Sequence, residues 1–159
     1  MKQEKFALNL KNIAIGSGYK VAVITAEWNH EITYALRDEC CSTLINYSVK
    51  PEDILQVEVP GTFELPTVAA IFASREDIDA VICLGCVIQG ETRHFEFICN
   101  AVANGLTNVG IASKKPVIFG VLTTNTVEQA IARSLRNNHA NKGYEAAISA
   151  LKMLKAIGS

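Results

Sequence analysis

Charge is scarce in this sequence. Asp, Glu, Lys and Arg make up 19 % of its 159 residues, against roughly 25 % in an ordinary soluble domain. Apolar residues reach 49 %, enough to offset the entropy of ordering, so a disordered chain is excluded. So thin a charged surface leaves area for burial against further copies of the chain. Neither sign dominates, since fifteen Lys and Arg face sixteen Asp and Glu for a net −1. No basic block or stripe exists, which excludes a nucleic-acid surface. Long hydrophobic runs are also missing. The longest, Ala80 to Ile88, has nine residues where a membrane span needs about 18, so no membrane association is expected. Lys2, Glu4, Lys5 and Lys11 break up any signal-peptide core at the N-terminus. The expectation is a cytoplasmic protein of one domain over 1–159, with an N-terminal arm of about 1–19.

Five cysteines are present, Cys40, Cys41, Cys83, Cys86 and Cys99. An odd number without secretory features reads as reduced thiols. Cys83 and Cys86 have CxxC spacing, but no second pair or close His completes a zinc site, so no metal is expected. A redox pair is the alternative to small apolar packing residues at the end of a strand.

The remaining pattern alternates strand and helix. Lys20–Thr25, Ile54–Val59, Asp79–Leu84 and Pro116–Leu122 are short, β-branched, apolar runs that suit strands covered on both faces. Between them, apolar residues recur at helical spacing over Ile32–Tyr47, from Pro66 to about Ser74, and from about Thr92 to Val109. Asn29 stands where an N-cap is expected. Thr126-Val-Glu-Gln129 reads as a capping box opening a helix to about Asn137, and Asn141 caps a last helix to about Ala156. The order β-α-β-α-β-α-β-α-α implies parallel βαβ units. The expected fold is a three-layer α/β/α sandwich on a four-stranded parallel, flavodoxin-like sheet. Ligands of such sheets bind beyond the carboxyl ends of the strands.

The loops at those ends carry specific chemistry. After the first strand come Trp28, able to stack on a planar ring, and Asn29, both donor and acceptor; a Trp covering a helix end is the plainer alternative. After the second come Gly61, Thr62, Phe63 and Glu64, the last a carboxylate at a helix start, where it also complements the helix dipole. The third is followed by Gly85-Cys-Val-Ile-Gln-Gly-Glu-Thr-Arg-His94, two glycines running into a helix N-terminus that favours an anion. Its spacing matches neither GxGxxG nor a P-loop. His94 falls in the first helical turn, where an imidazole can move protons near neutral pH. Phe119 lies on the fourth strand and Arg133 in the next helix; Arg suits a phosphate's paired oxygens. Taken alone, these residues indicate a small phosphorylated or planar ligand and no particular reaction.

The strings Trp28-Asn29, PGTFELP (60–66), LGCVIQGETRHFEFIC (84–99), PVIFGVLTTNTVEQAIAR (116–133) and NKGYEAAISAL (141–151) resemble the lumazine synthase family, in family order and spacing from about residue 13 to 155. The resemblance implies a cofactor-free condensation of 5-amino-6-(D-ribitylamino)uracil with 3,4-dihydroxy-2-butanone 4-phosphate, in riboflavin biosynthesis. It implies that Trp28, followed by Asn29, lies by the pyrimidine, that Gly61, Thr62, Phe63 and Glu64 hold the ribityl chain and ring, and that the backbone of Cys86, Val87 and Ile88 reads the pyrimidine edge. Gly90, Glu91, Thr92 and Arg133 would bind the phosphate, and His94 would be the proton donor. Phe119 and Arg133 would come from across a subunit boundary, with Lys142 nearby. A noncatalytic flavin or lumazine binder on the same sheet is the rival reading.

The resemblance also implies a homopentamer with sites between neighbours, and names riboflavin synthase as a candidate partner. Gln89 and Cys86 depart from residues common at their positions, Arg or Lys and Thr. The link Arg133–Lys142 departs most, taking nine steps where family members that build hollow shells take eight, and lacking both of their glycines. Leu135 and Ala140 are therefore expected to bend the link differently, leaving an isolated pentamer or a pair of pentamers.

Overall fold

The computed structural model describes residues 8–158; the first seven residues of the expected arm lie outside that range. Four strands, β1 (Val21–Ala26), β2 (Ile54–Val59), β3 (Ala80–Ile88) and β4 (Val117–Thr124), alternate with α1 (His30–Asn46), α2 (Leu65–Ala73), α3 (His94–Ser113), α4 (Val127–Ala132) and α5 (Lys142–Ile157). The sheet is wholly parallel in the order β2-β1-β3-β4. This is the α/β architecture expected from the alternation of elements.

Successive strand residues face opposite sides of a sheet, and the core divides accordingly. Val21, Val23, Ile82 and Leu84 pack with Leu36 and Leu44 of α1 and Leu151 and Leu154 of α5. Ala22, Ile24, Val81 and Cys83 pack on the other face with Leu65 and Ala69 of α2 and Val102 and Leu106 of α3. Gly143 brings α5 against α1, because a Cβ there would fall on the Leu36 carbonyl.

Several boundaries differ from the sequence-based expectation. β3 does not stop at Leu84. It stays in register with β4 through Ile88–Thr124, so residues 85–88, expected as loop, are strand. Gly85 is there for packing, since a Cβ would come within 2.7 Å of the Thr62 hydroxyl. The helix expected to reach Asn137 ends at Ala132. Its cap is formed by the Thr126 hydroxyl, which accepts from Gln129 N at 3.2 Å, while the Gln129 side chain accepts from Asn125 N (2.9 Å) and not from Thr126. Asn141 caps α5 as expected, its Oδ1 accepting from the N–H groups of Gly143 (2.7 Å) and Tyr144 (3.2 Å).

The redox alternative for the CxxC pair does not hold. Cys83 lies in the α2–α3 core cluster and Cys86 in the α1–α5 cluster, so the two thiols occupy opposite faces of β3. Burial pushes the Cys86 thiol up to about 11 and Cys83 higher still, which keeps both protonated and poorly nucleophilic.

Candidate functional site

Two of the clefts at the carboxyl ends of the strands hold the expected residues other than Phe119 and Glu91. The first is built where β1 gives out. Past Ala26 the chain keeps pairing with the end of β2, as Glu27 N donates to the Val59 carbonyl (2.8 Å) and Trp28 N to Pro60 (3.0 Å). Asn29 then turns with φ 62 and ψ 43, the left-handed region that Asn tolerates better than most residues. Its side chain does not cap α1, contrary to expectation. Instead Nδ2 donates to the Cys86 carbonyl at 2.9 Å, tying the loop to the end of β3.

That carbonyl is free to accept because β3 outlasts β1. Val81 N donates to Pro116 and Gln89 N to Thr124, so odd-numbered residues of β3 direct their peptide groups toward β4. Even-numbered ones face β1, whose pairing ends at Thr25–Leu84. The peptide groups of Cys86 and Ile88 therefore stand without a strand partner, and the Asn29 amide takes one of them. A second Asn29 N–H and its Oδ1 remain for a ligand. The resemblance singles out the backbone of residues 86–88, but their place on a strand edge differs from the expected loop beginning at Gly85; the signal for the strand is the nine-residue apolar run, whose bounds are those of β3.

Around this edge lies a cleft of about 470 Å³, lined by Trp28, Asn29, Gly61, Thr62, Phe63, Glu64, Cys86, Val87, Ile88, Gly90, Thr92 and His94. Phe95 and Ile98, expected only as apolar positions of the helix, line it too. Trp28 is 74 % and Phe63 60 % exposed, so two aromatic faces stand at the mouth. Thr62–Glu64 form a single 3-10 turn leading into α2, with Pro66 in its first turn. The loop before α3 is closed by Gln89, whose Nε2 donates to the carbonyls of Gly90 (3.0 Å) and Thr92 (3.5 Å). The Thr92 hydroxyl accepts from His94 N at 3.4 Å. His94 is the first residue of α3 and is exposed, so its imidazole shares the cleft with a helix N-terminus.

The other expected residues are elsewhere. Arg133 and Lys142 line a second cleft of about 520 Å³ beyond β4, with Thr123, Thr124, Gln129 and Ala140. Lys142 Nζ is 3.4 Å from the Glu145 carboxylate. Phe119 packs half-buried against the α2–α3 cluster, and Phe119 and Glu91 line neither cleft. A single chain thus separates the cationic pair from His94. Among the described residues no group of three His, Cys, Asp or Glu side chains converges to hold a metal, and no helix is long and apolar enough to cross a membrane.

The profile of the family described as 6,7-dimethyl-8-ribityllumazine synthase matches residues 18–157. A protein of that name from Cytophaga hutchinsonii is 54 % identical over 132 residues, 83 % of this chain and 82 % of the relative. One from Porphyromonas gingivalis is 43 % identical over 143 residues, 90 % and 88 % of the two chains. One from Parabacteroides distasonis is 40 % identical over 146 residues, 92 % and 91 %. With both strand-end clefts and every string that shapes them inside the matched span, the chain belongs to the 6,7-dimethyl-8-ribityllumazine synthase family.

Proposed function

We propose that the protein condenses 5-amino-6-(D-ribitylamino)uracil with 3,4-dihydroxy-2-butanone 4-phosphate to 6,7-dimethyl-8-ribityllumazine, the penultimate step of riboflavin formation. The observation that carries the assignment of roles is the open peptide edge of Cys86 and Ile88, flanked by Trp28 and facing a loop that leads into His94. A pyrimidine has donors and acceptors along one edge and a flat face. The peptide groups of Cys86 and Ile88 and the Asn29 amide match the edge, and Trp28 the face. Gly61, Thr62, Phe63 and Glu64 offer backbone, hydroxyl, ring and carboxylate to the ribityl chain. Gly90, Glu91 and Thr92 present the α3 N-terminus to the phosphate.

The uracil's 5-amino group attacks the ketone and water leaves to give an imine. Inorganic phosphate is then eliminated. The ribitylamino nitrogen closes the ring on the remaining carbonyl with loss of a second water. His94, beside both reactants, moves the protons these steps require. Alignment supplies much of the rate, because two bound reactants meet without the entropy cost of encounter. Arg133, Lys142 and Phe119 would complete the site from a neighbouring copy, Arg133 gripping the phosphate in a paired fork. A noncatalytic flavin or lumazine binder on this sheet would have no need of a proton donor beside an anion loop. The test is to mix both substrates with the protein and follow lumazine absorbance, with and without thiol blocking. Formation of lumazine at equal rates in both supports the reading; no lumazine refutes it.

The assembly we propose is a pentamer, about 86 kDa for chains of 17.2 kDa, or two pentamers joined, in the cytoplasm, with riboflavin synthase consuming the product. Supporting the absence of a shell is the link between α4 and α5. Neither Leu135 nor Ala140 takes a left-handed conformation; Asn137 does, at φ 53. Sedimentation near one megadalton would refute it.

A further inference from the structure

We propose that Asp38 and Glu39 of α1 are positioning residues for Arg133 and Lys142, holding the pair in place through the α4–α5 link. The proposal rests on the reading above that this pair binds the substrate's phosphate.

Arg133 directly follows α4 and Lys142 begins α5, with eight residues between them (134–141). The two ends touch, as Lys142 N donates to the Arg133 carbonyl at 2.9 Å. The link is therefore a closed loop, and its conformation sets how the two cations face the cleft. Within it, Asn141 Nδ2 donates to the Leu135 carbonyl at 3.1 Å, and His139 stacks on Tyr144 with centroids 4.5 Å apart. The loop's own asparagines account for part of this shape, the Asn138 Oδ1 accepting from Ala140 N and the Asn138 carbonyl from Asn141 N, both at 2.9 Å. Its turning residue, Asn137, has a left-handed φ of 53, a region that Asn tolerates better than most residues and whose remaining cost contacts from the surroundings offset.

The surroundings here are two adjacent acids 98 residues away in sequence. Glu39 Oε2 accepts from the Asn137 N–H at 3.1 Å, at the turning residue itself. Asp38 Oδ2 accepts from Arg136 NH2 at 2.6 Å. Asp38 is itself held, its Oδ1 accepting from Arg37 Nε and NH2 at 3.3 Å, with Arg37 in turn bonded to Glu58 at 3.1 Å. Isolated surface ion pairs contribute little, but charges joined in a network contribute more. This set runs from β2 through α1 to the apex of the loop.

Position and charge make opposite predictions, which renders the inference testable. Asp38 and Glu39 are negative, so through charge alone their removal would favour an anion. Through position, their removal frees the loop and weakens anion binding. The experiment compares Asp38→Ala/Glu39→Ala with Asp38→Asn/Glu39→Gln in the full-length protein, measuring the dissociation constant for inorganic phosphate and the KM of each substrate. The expected result is phosphate binding about three- to tenfold weaker in the double alanine variant. Binding should stay near wild type in the amide variant, whose side-chain oxygens still accept, and the KM for the ribitylaminouracil should not move. Glu39→Ala alone, which leaves the Arg136–Asp38 pair in place, shows the same sign at about two- to threefold and serves where the double variant does not fold. Phosphate binding that is unchanged or tighter in the alanine variants overturns the proposal. Arg133→Ala in the same assay separates the two readings. If it weakens phosphate binding and the α1 variants do not, the positioning role alone fails. If it has no effect, the phosphate reading fails and the proposal with it.

Discussion

The two strand-end clefts are held open by different means. At the ends of β1, β2 and β3 the site is an extension of the sheet. Its polar groups are peptides that run out of partners, and its loops are bonded back to the strands at 2.8–3.0 Å. At the end of β4 the cationic pair sits on either side of a closed link, tethered to a helix by side chains that are largely exposed, 65 % for Arg136 and 37 % for Asp38. The first arrangement inherits the rigidity of the core. The second depends on a few polar contacts and so tolerates, and feels, changes far from the ligand. Recognition of a flat heterocycle calls for the former, while a charge-dominated grip on phosphate can use the latter.

Substitutions in each cleft should therefore differ in kind. The largest effect is expected for His94→Ala, which removes the proposed proton donor while leaving the proposed anion loop in place. Turnover of both substrates together should fall by about 10²–10⁴-fold, with phosphate affinity largely kept. Full turnover in this variant would remove His94 from the mechanism. Arg133→Ala should raise the KM for the butanone phosphate about 10- to 150-fold and leave the ribitylaminouracil KM alone. Arg133→Lys should recover part of the loss, since the charge returns without the planar fork. An unchanged KM for the phosphorylated substrate would contradict its role.

In the strand-end cleft, Asn29 carries both a left-handed turn and a bond to Cys86. Asn29→Ala should weaken ribitylaminouracil binding by roughly tenfold, from the strained turn and the lost donor together. Asn29→Gly, which relieves the turn but not the bond, should lie between the variant and wild type. Steady-state KM values read both, and a shift in the KM for the butanone phosphate instead would blur the distinction between the clefts. The last effect concerns stability and pH. Burial raises the Cys86 thiol from its ordinary 9.0 to about 11 and raises Cys83 further. The folded state thus keeps protons that the unfolded chain releases. This contribution to stability is intact below pH 9 and is lost as pH rises from 9 through 11. Urea midpoints at pH 7.5 and 10.5 should differ less in Cys83→Ala/Cys86→Ala than in the wild type; an equal difference would show that the thiols do not titrate in folding.

Most of the fold could be read in the sequence because each strand is a compact apolar run and each helix an apolar stripe. Where reading failed, the determinant lay outside the segment. β3 continues past Gly85 because β4 pairs with it to Thr124, and a glycine that resembles a loop residue is making room for Thr62. α4 stops at Ala132 although Leu135 extends the apolar spacing, and the chain beyond it bonds to Asp38 and Glu39, 98 residues earlier. The lining of the first cleft was legible from the strings around Trp28, Gly61 and His94. That Arg133, Lys142 and Phe119 lie apart from it on the same chain was not legible from the residues, since no local pattern encodes where two loops end up.

The central claim is that one working site needs the first cleft of one copy and the second cleft of another. His94→Ala and Arg133→Ala each disable a different cleft. Mixed by joint unfolding and refolding, the two variants should form oligomers in which some neighbours pair an intact first cleft with an intact Arg133. Lumazine formation from both substrates by this mixture should rise well above the sum of the two variants alone. A mixture no more active than that sum would place both residues in the site of a single chain and contradict the claim.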